Sequence, residues 1–400
     1  MRPDAATDAG AAADAPRVDL VYFDAGGGHR AAAQALQAVA RSQGRRWRTE
    51  TVQLMKVLDP RDAFRSVTGM APEDYYNRRL ARGWTVGLGT ELRLLQAMIR
   101  IGHPALVRAL RAYWAAHPPG LVVSLVPNFN RALFESLEPW RPAARYVTVL
   151  TDLADLPPHF WIEPGQDQDL VCGTPRAVAQ ALAAGHPAAR VHATSGMILR
   201  PDFYAPPAGD RRADRAALGL DPDRPTVVLG FGGHGSNRML GIARALDDVQ
   251  LICLAGHNAA LAQALRAQRR AAPLAALGFT SEVPRLLRLG DVFVGKPGPG
   301  SLSEALHCGL PVITFRNAFT MPQERYNTRW VEENAVGRVV TSVRAVPDAV
   351  REVLDALDAF RRQVGRLHNR AVFEVVELID GWVSAAQAAA VPPPTDGGPR

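Results

Sequence analysis

The chain has 400 residues, is 47% hydrophobic and carries a formal net charge of +7. That length exceeds a usual single domain, so two α/β domains with separate cores are expected. The basic surplus is arginine except for Lys56 and Lys296, and no block of like charges interrupts the chain, so a nucleic-acid partner is not expected, while a phosphate ligand or an anionic membrane surface is.

Residues 1–16 are rich in Ala and Asp, with no basic start and no apolar run. They read as a disordered tail and not as a signal peptide. From Val18 short apolar runs alternate with Ala-rich helical stretches. The runs are Val18–Phe23, Leu121–Leu125, Tyr146–Leu150 and Asp169–Cys172, and the helices include Ala31–Ala40 and Arg176–Ala184. This alternation predicts a doubly wound parallel sheet, and it assigns residues 17–200 to a first Rossmann-like domain. Residues 201–225, dense in Pro, Gly, Asp and Arg, read as a linker. The alternation restarts with Thr226–Leu229, Gln250–Leu254, Val292–Val294 and Pro311–Phe315. A second Rossmann-like domain is therefore expected over residues 226–385. Its last helical stretch, Pro347–Val383, is placed to cross back over the first domain, and residues 386–400 read as a second tail.

Cys172, Cys253 and Cys308 lie far apart and read as buried thiols of a reducing compartment. Nothing resembles a metal-ligand spacing, so no metal and no cofactor are expected. No apolar stretch reaches the length of a transmembrane helix. Residues 78–114 stand out, with Arg78, Arg79, Arg82, Arg93, Arg100, Arg108 and Arg111 interleaved at helical spacing with Leu94, Leu95, Met98, Ile99 and Leu110. Such a helix either lies on anionic lipid or packs on a core behind a solvated arginine face.

Three glycine-rich turns carry chemistry. Gly26-Gly27-Gly28-His29 follows the first strand and opens a helix. At such a strand end His29 is placed as a proton acceptor, and packing of the loop is the competing reading. Gly230-Phe231-Gly232-Gly233-His234-Gly235-Ser236 repeats this construction in the second domain, where successive N–H groups form a phosphate nest. Lys296-Pro297-Gly298-Pro299-Gly300-Ser301 leads into a helix expected to begin at Ser301. Its N-terminus suits an anion, and Glu304, one turn on, suits a diol. Gln323, Glu324 and Asn327 follow the next strand and suit sugar hydroxyls; a capped helix start and a plain surface carboxylate at Glu304 are the competing readings.

Gly26-Gly27-Gly28-His29-Arg30, Thr151-Asp152-Leu153, Gly278-Phe279-Thr280, Pro297–Leu306, Gly309-Leu310-Pro311 and Gln323-Glu324-x-x-Asn327, taken in order, resemble the monogalactosyldiacylglycerol synthase family of glycosyltransferases. They are more distantly similar to the peptidoglycan lipid-intermediate N-acetylglucosaminyltransferase. The resemblance spans about residues 18–385. It implies the GT-B architecture of two Rossmann-like domains facing a cleft, a UDP-sugar donor, and inverting transfer without a bound metal. It further implies donor contacts from Gly233, Gly235, Ser236, Phe279, Thr280, Gly298, Gly300, Ser301, Glu304, Gln323, Glu324 and Asn327. Of these, Glu304 would hold the ribose, the glycines and Ser301 the diphosphate, backbone near Phe279 the uracil, and Gln323 with Glu324 the sugar. Gly27, Gly28 and Asp152 would line the acceptor side, with His29 as base. Three positions depart from the family's pattern: Val126-Pro127 and Pro157-Pro158 where His-Pro is usual, and His234 where the loop usually carries an acid. The expected function is hexosyl transfer from a UDP-sugar to a lipid or lipid-linked acceptor, by a bacterial protein on the cytoplasmic face of the plasma membrane. A UDP-sugar 2-epimerase and a non-catalytic nucleotide-sugar or lipid binder are the alternatives.

Overall fold

A computed structural model describes residues 15–24, 27–61, 88–318 and 320–390. Gly26, the basic residues Arg78, Arg79 and Arg82, and most of both expected tails lie outside the described residues. The first sheet is built from β1 (Arg17–Tyr22), β2 (Arg48–Gln53), β3 (Leu121–Ser124), β4 (Arg145–Val149), β5 (Asp169–Cys172) and β6 (Val191–Ala193). The second holds β7 (Thr226–Gly230), β8 (Gln250–Gly256), β9 (Leu274–Gly278), β10 (Val292–Gly295), β11 (Val312–Phe315) and β12 (Gly337–Val340). Their orders are β2-β1-β3-β4-β5-β6 and β12-β11-β10-β7-β8-β9, and every pairing is parallel.

Parallel strands with helices on both faces must be apolar on both faces. In β1, Val18 and Leu20 enter one core and Val21 the opposite one; in β7, Val227 and Leu229 enter one core and Val228 the other. Each apolar run read from the sequence becomes a strand.

The stretch expected to be one helix over Pro347–Val383 is three, Val346–Asp355, Leu357–Val364 and Ala371–Ala390. The last of these, grouped by chain order with the second domain, packs on the first. Val372, Val375, Val376 and Ile379 form a stripe at helical spacing that fills the core above helix Gly28–Ser42. Asp380 on the same helix accepts from Arg45 at 2.7 Å and from the Trp47 indole at 2.9 Å. The helix runs to Ala390, so residues 386–390, expected in the tail, are helical. Segment 201–225 is likewise more than a tether. It contains helix Arg211–Ala217, it buries Phe203 and Leu220 in the second unit's core, and its buried Arg215 pairs with Asp291 at 2.7 Å.

Candidate active site

The two sheets each have a point where strand order reverses, between β1 and β3 and between β7 and β10. Loops leaving such a pair diverge and open a crevice at the strands' carboxyl ends. Register sets which residues meet there. Gly230 pairs with Gly295, so the Phe231–Ser236 loop and the Lys296–Gly298 loop leave the second sheet side by side. Val21 pairs with Ser124, which brings the turn before His29 beside Leu125.

His29 is the second residue of helix Gly28–Ser42. Gly27 (φ 78°) caps the helix in the left-handed region, which is what its position asks of glycine, since a Cβ at Gly27 or Gly28 would enter open space. The His29 Nδ1 lies 3.0 Å from Thr151 Oγ1. Burial pushes the imidazole down to about 4, against a backbone hydrogen bond to Leu125, so the ring is neutral near neutral pH. The Trp161 indole sits 5.9 Å from the His29 ring and donates to Asp152 Oδ2 at 2.9 Å. Asp152 is 8% exposed. Burial pushes its carboxyl up to about 7; the Trp161 hydrogen bond opposes this, Glu324 of the second unit adds to it and Lys296 offsets it. The two walls are thus within electrostatic reach of each other.

Trp161 is held from behind. Asn130 donates to its carbonyl at 2.9 Å while its own Oδ1 accepts from Ser124 and Tyr146 at 2.6 and 2.8 Å. Asp155 accepts from the Trp161 and His159 N–H groups at 2.6 and 3.0 Å. His159 follows Pro157-Pro158, and its backbone closes this turn. Val126, the other first-domain departure, is buried in the core.

On the second wall, Gly235 has φ 60°, and a Cβ there would come within 2.7 Å of the Ala255 carbonyl, so only glycine fits the turn. The Gly233 carbonyl accepts from His257 N–H at 2.8 Å, which fixes the loop to the end of β8. Ser236 Oγ accepts from Arg238 N–H at 3.3 Å, two residues before Arg238 begins the next helix, Arg238–Ala245. The Phe279 ring is 68% exposed and stacks on His257 at 4.0 Å and 16°. Thr280 turns inward to its own backbone, accepting from Glu282 N–H at 3.0 Å.

The helix expected to begin at Ser301 begins at Pro299, because proline at the first helical position has the required φ and no N–H to lose. Gly298 is its N-cap and supplies no side chain, so the N–H groups of Gly300 and Ser301 remain for a ligand. Burial pushes the Glu304 carboxyl up to about 7, with Arg200 opposing and Asp202 adding. Glu324 is buried and lies 3.5 Å from Lys296 Nζ. Gln323 is half-buried beside Met321. Asn327 is fully buried behind the loop, where its Nδ2 donates to the Pro297 carbonyl at 2.7 Å. Asn327 therefore shapes the site from within, while Thr280 closes only its own exposed turn. Trp161 and His257 lie at it although no motif reading named them, and Lys296, first residue of the turn before Ser301, was given no role there; the available signal for it was its rarity in an arginine-rich chain.

No family model matches the chain. It is 28% identical over 353 residues to the probable chloroplastic monogalactosyldiacylglycerol synthase 2 of Oryza sativa subsp. japonica, an alignment covering 81% of this chain and 71% of that one. The chain is monogalactosyldiacylglycerol synthase-like. Among solved structures it superposes on MurG of Acinetobacter baumannii with a TM-score of 0.57 at 12% identity, covering 92% of this chain and 99% of that one. It superposes as well, with a TM-score of 0.56 at 14% identity, on a UDP-N-acetylglucosamine 2-epimerase-like protein of Listeria monocytogenes, covering 93% and 97%. The synthase-like chain thus has the GT-B fold, two doubly wound sheets with their strand ends turned to one cleft.

Proposed function

We propose that this chain is a UDP-sugar-dependent hexosyltransferase acting on a lipid-class acceptor. One observation carries the reading. The donor-side loops at the β7/β10 reversal face a wall in which His29, Thr151, Asp152 and Trp161 are joined by hydrogen bonds and ring contact. The likeness to the synthases over most of the chain supports it. Galactose and diacylglycerol, carried by those relatives' name, are the first donor and acceptor to try.

In this mechanism the diphosphate sits between the N–H groups of Gly233, Gly300 and Ser301, with Ser236 supporting the first loop and Gly235, whose own N–H donates to the Gly232 carbonyl at 3.0 Å, turning it. The ribose diol meets Glu304, the base lies against Phe279, and Gln323 and Glu324 meet the sugar. The acceptor hydroxyl attacks the anomeric carbon from the opposite side. The C–O bond to the diphosphate breaks as the new one forms, and the hydroxyl proton passes to the neutral His29 imidazole, with Thr151 fixing the ring. Charge on the departing UDP is met by preorganised backbone donors.

The acceptor's source is a lipid surface. In helix Leu88–Ala116 the far half is anchored through buried Leu110 and Trp114, while Leu94, Leu95, Met98 and Ile101 are exposed, Ile101 by 83%. Arg93, Arg100 and Arg108 flank this stripe and are exposed too. Gln96 on the same helix donates to Asn128 at 3.1 Å, which joins the stripe to the acceptor-side loop. Among the described residues no helix is long and apolar enough to cross a membrane.

Mass spectrometry of lipid products after incubation with UDP-galactose, UDP-glucose and UDP-N-acetylglucosamine tests the proposal. A new hexosylated lipid is expected with at least one donor. Conversion of UDP-N-acetylglucosamine to an epimer without lipid would instead identify a 2-epimerase.

A further inference from the structure

We propose that Lys296 is the side chain that grips the donor's diphosphate, and that it does so in exchange for its ion pair with Glu324. The inference rests on the donor reading above and adds a residue to it. Lys296 leaves β10 at the strand-order reversal, next to the Gly232 loop that leaves β7. Its stem lies across both turns. A Cβ on Gly232 would meet Lys296 Cε at 3.4 Å and Nζ at 4.0 Å, and a Cβ on Gly298 would meet the same atoms at 3.2 and 3.6 Å. The missing side chains of two glycines therefore make the channel in which the ammonium lies, between the two loops whose N–H groups suit phosphate.

The charge around that ammonium is mixed. Glu324 Oε1 lies 3.5 Å away, longer than the roughly 2.7–2.9 Å of a strong charge-assisted hydrogen bond. Asp152 acts on it from across the cleft, and His234 faces it from the neighbouring loop. A loosely made pair is readily exchanged for a doubly charged ligand. Residue type points the same way. Almost every base in this chain is arginine, yet this position holds one of its two lysines, Lys56 being the other. An arginine here would fork onto the Glu324 carboxylate through two parallel bonds and stay there. A lysine is a compact point charge with three rotatable donors, able to turn from carboxylate to phosphate. Once the diphosphate holds Lys296, the Glu324 carboxylate is released to accept from sugar hydroxyls. Donor binding and sugar positioning become one event, triggered by phosphate and not by the nucleoside.

Calorimetric titration of uridine, UDP and inorganic pyrophosphate into the wild type and the K296Q, K296M, K296R and E324Q variants tests this. K296Q and K296M should lose UDP affinity by about 30-fold, the scale of a hydrogen bond to a charged group, with uridine affinity unchanged. K296R should lose UDP affinity too, through its tighter grip on Glu324, and E324Q should bind UDP more tightly. Unchanged uridine binding shows at the same time that each variant is folded. UDP binding by K296Q and K296M within about twofold of wild type, on the scale where one charged contact counts for tenfold or more, overturns the assignment of Lys296 alone. A wild type that binds neither UDP nor pyrophosphate overturns the donor reading and this proposal together.

Discussion

His29 and Asp152 border the same indole but are displaced in opposite directions, the imidazole down to about 4 and the carboxyl up to about 7. His29 is therefore neutral across the physiological range, and of these two groups the one that changes charge there is Asp152. An ionised Asp152 favours the imidazolium that forms as the acceptor loses its proton. At saturating donor, where the Glu304 effect on donor affinity drops out, the acid limb of kcat should therefore rise through an apparent pKa of about 7 and flatten in D152N. H29A should abolish transfer at every pH while leaving UDP affinity near wild type; transfer at the wild-type rate would remove His29 from the chemistry. Glu304 adds a second pH effect. Its carboxyl is raised to about 7, and an ionised carboxylate accepts both ribose hydroxyls, so its contribution to UDP affinity grows as pH rises through that value and is lost below it. Titrations near pH 6 and 8 should show E304Q close to wild type at the lower pH and weaker by about tenfold at the higher. His29, Glu304 and the glycines were legible because their chemistry is local to a motif. Trp161 was not, since its role depends on a turn that folds back onto Asp152.

At the scale of elements, legibility followed burial. Eight strands stand out as apolar runs, and they occupy the eight interior places of the two sheets. The four that do not stand out, β2, β6, β9 and β12, are the four edges. An edge strand is half-exposed and need not be apolar on both faces, as the sequence Arg-Thr-Glu-Thr-Val-Gln of β2 illustrates. The helix over Leu88–Ala116 was ambiguous for a related reason, because its apolar positions divide between a core and the surface along one length. Replacing Met98 and Ile101 by Ser should weaken co-sedimentation with anionic vesicles and leave the melting temperature unchanged. A loss of stability instead would mean that the stripe is packed against protein. Thr174 caps helix Pro175–Ala183, accepting from Ala177 N–H at 3.1 Å and donating to the Leu153 carbonyl at 2.5 Å in the segment that carries Asp152. T174A should cost about 1–2 kcal/mol in denaturant unfolding.

For the whole molecule, chain order and spatial order part company at the C-terminus. Helix Ala371–Ala390 completes the first unit's core, and its approach is tied to the 195–197 crossing, where Ser195 N–H donates to Glu374 at 2.7 Å and Asn369 donates to the Met197 carbonyl at 2.9 Å. Its apolar stripe and its return over the first unit were both expected from the sequence, but the residues it meets there were not, because any helix-covered core would accept such a stripe. Ile379→Ala, at a site with no exposure, should destabilise the fold by about 3 kcal/mol in chemical denaturation, although the helices just before its own, Val346–Asp355 and Leu357–Val364, pack in the second unit. The two units matter to function because each supplies one wall of a single cleft. The most direct test is UDP release measured with a UDP-sugar alone, with lipid extract alone and with both. Release that requires both, and that disappears in H29A, is the result expected of a transferase built across this cleft. Folded protein that binds UDP yet releases none with any UDP-sugar and lipid would contradict it.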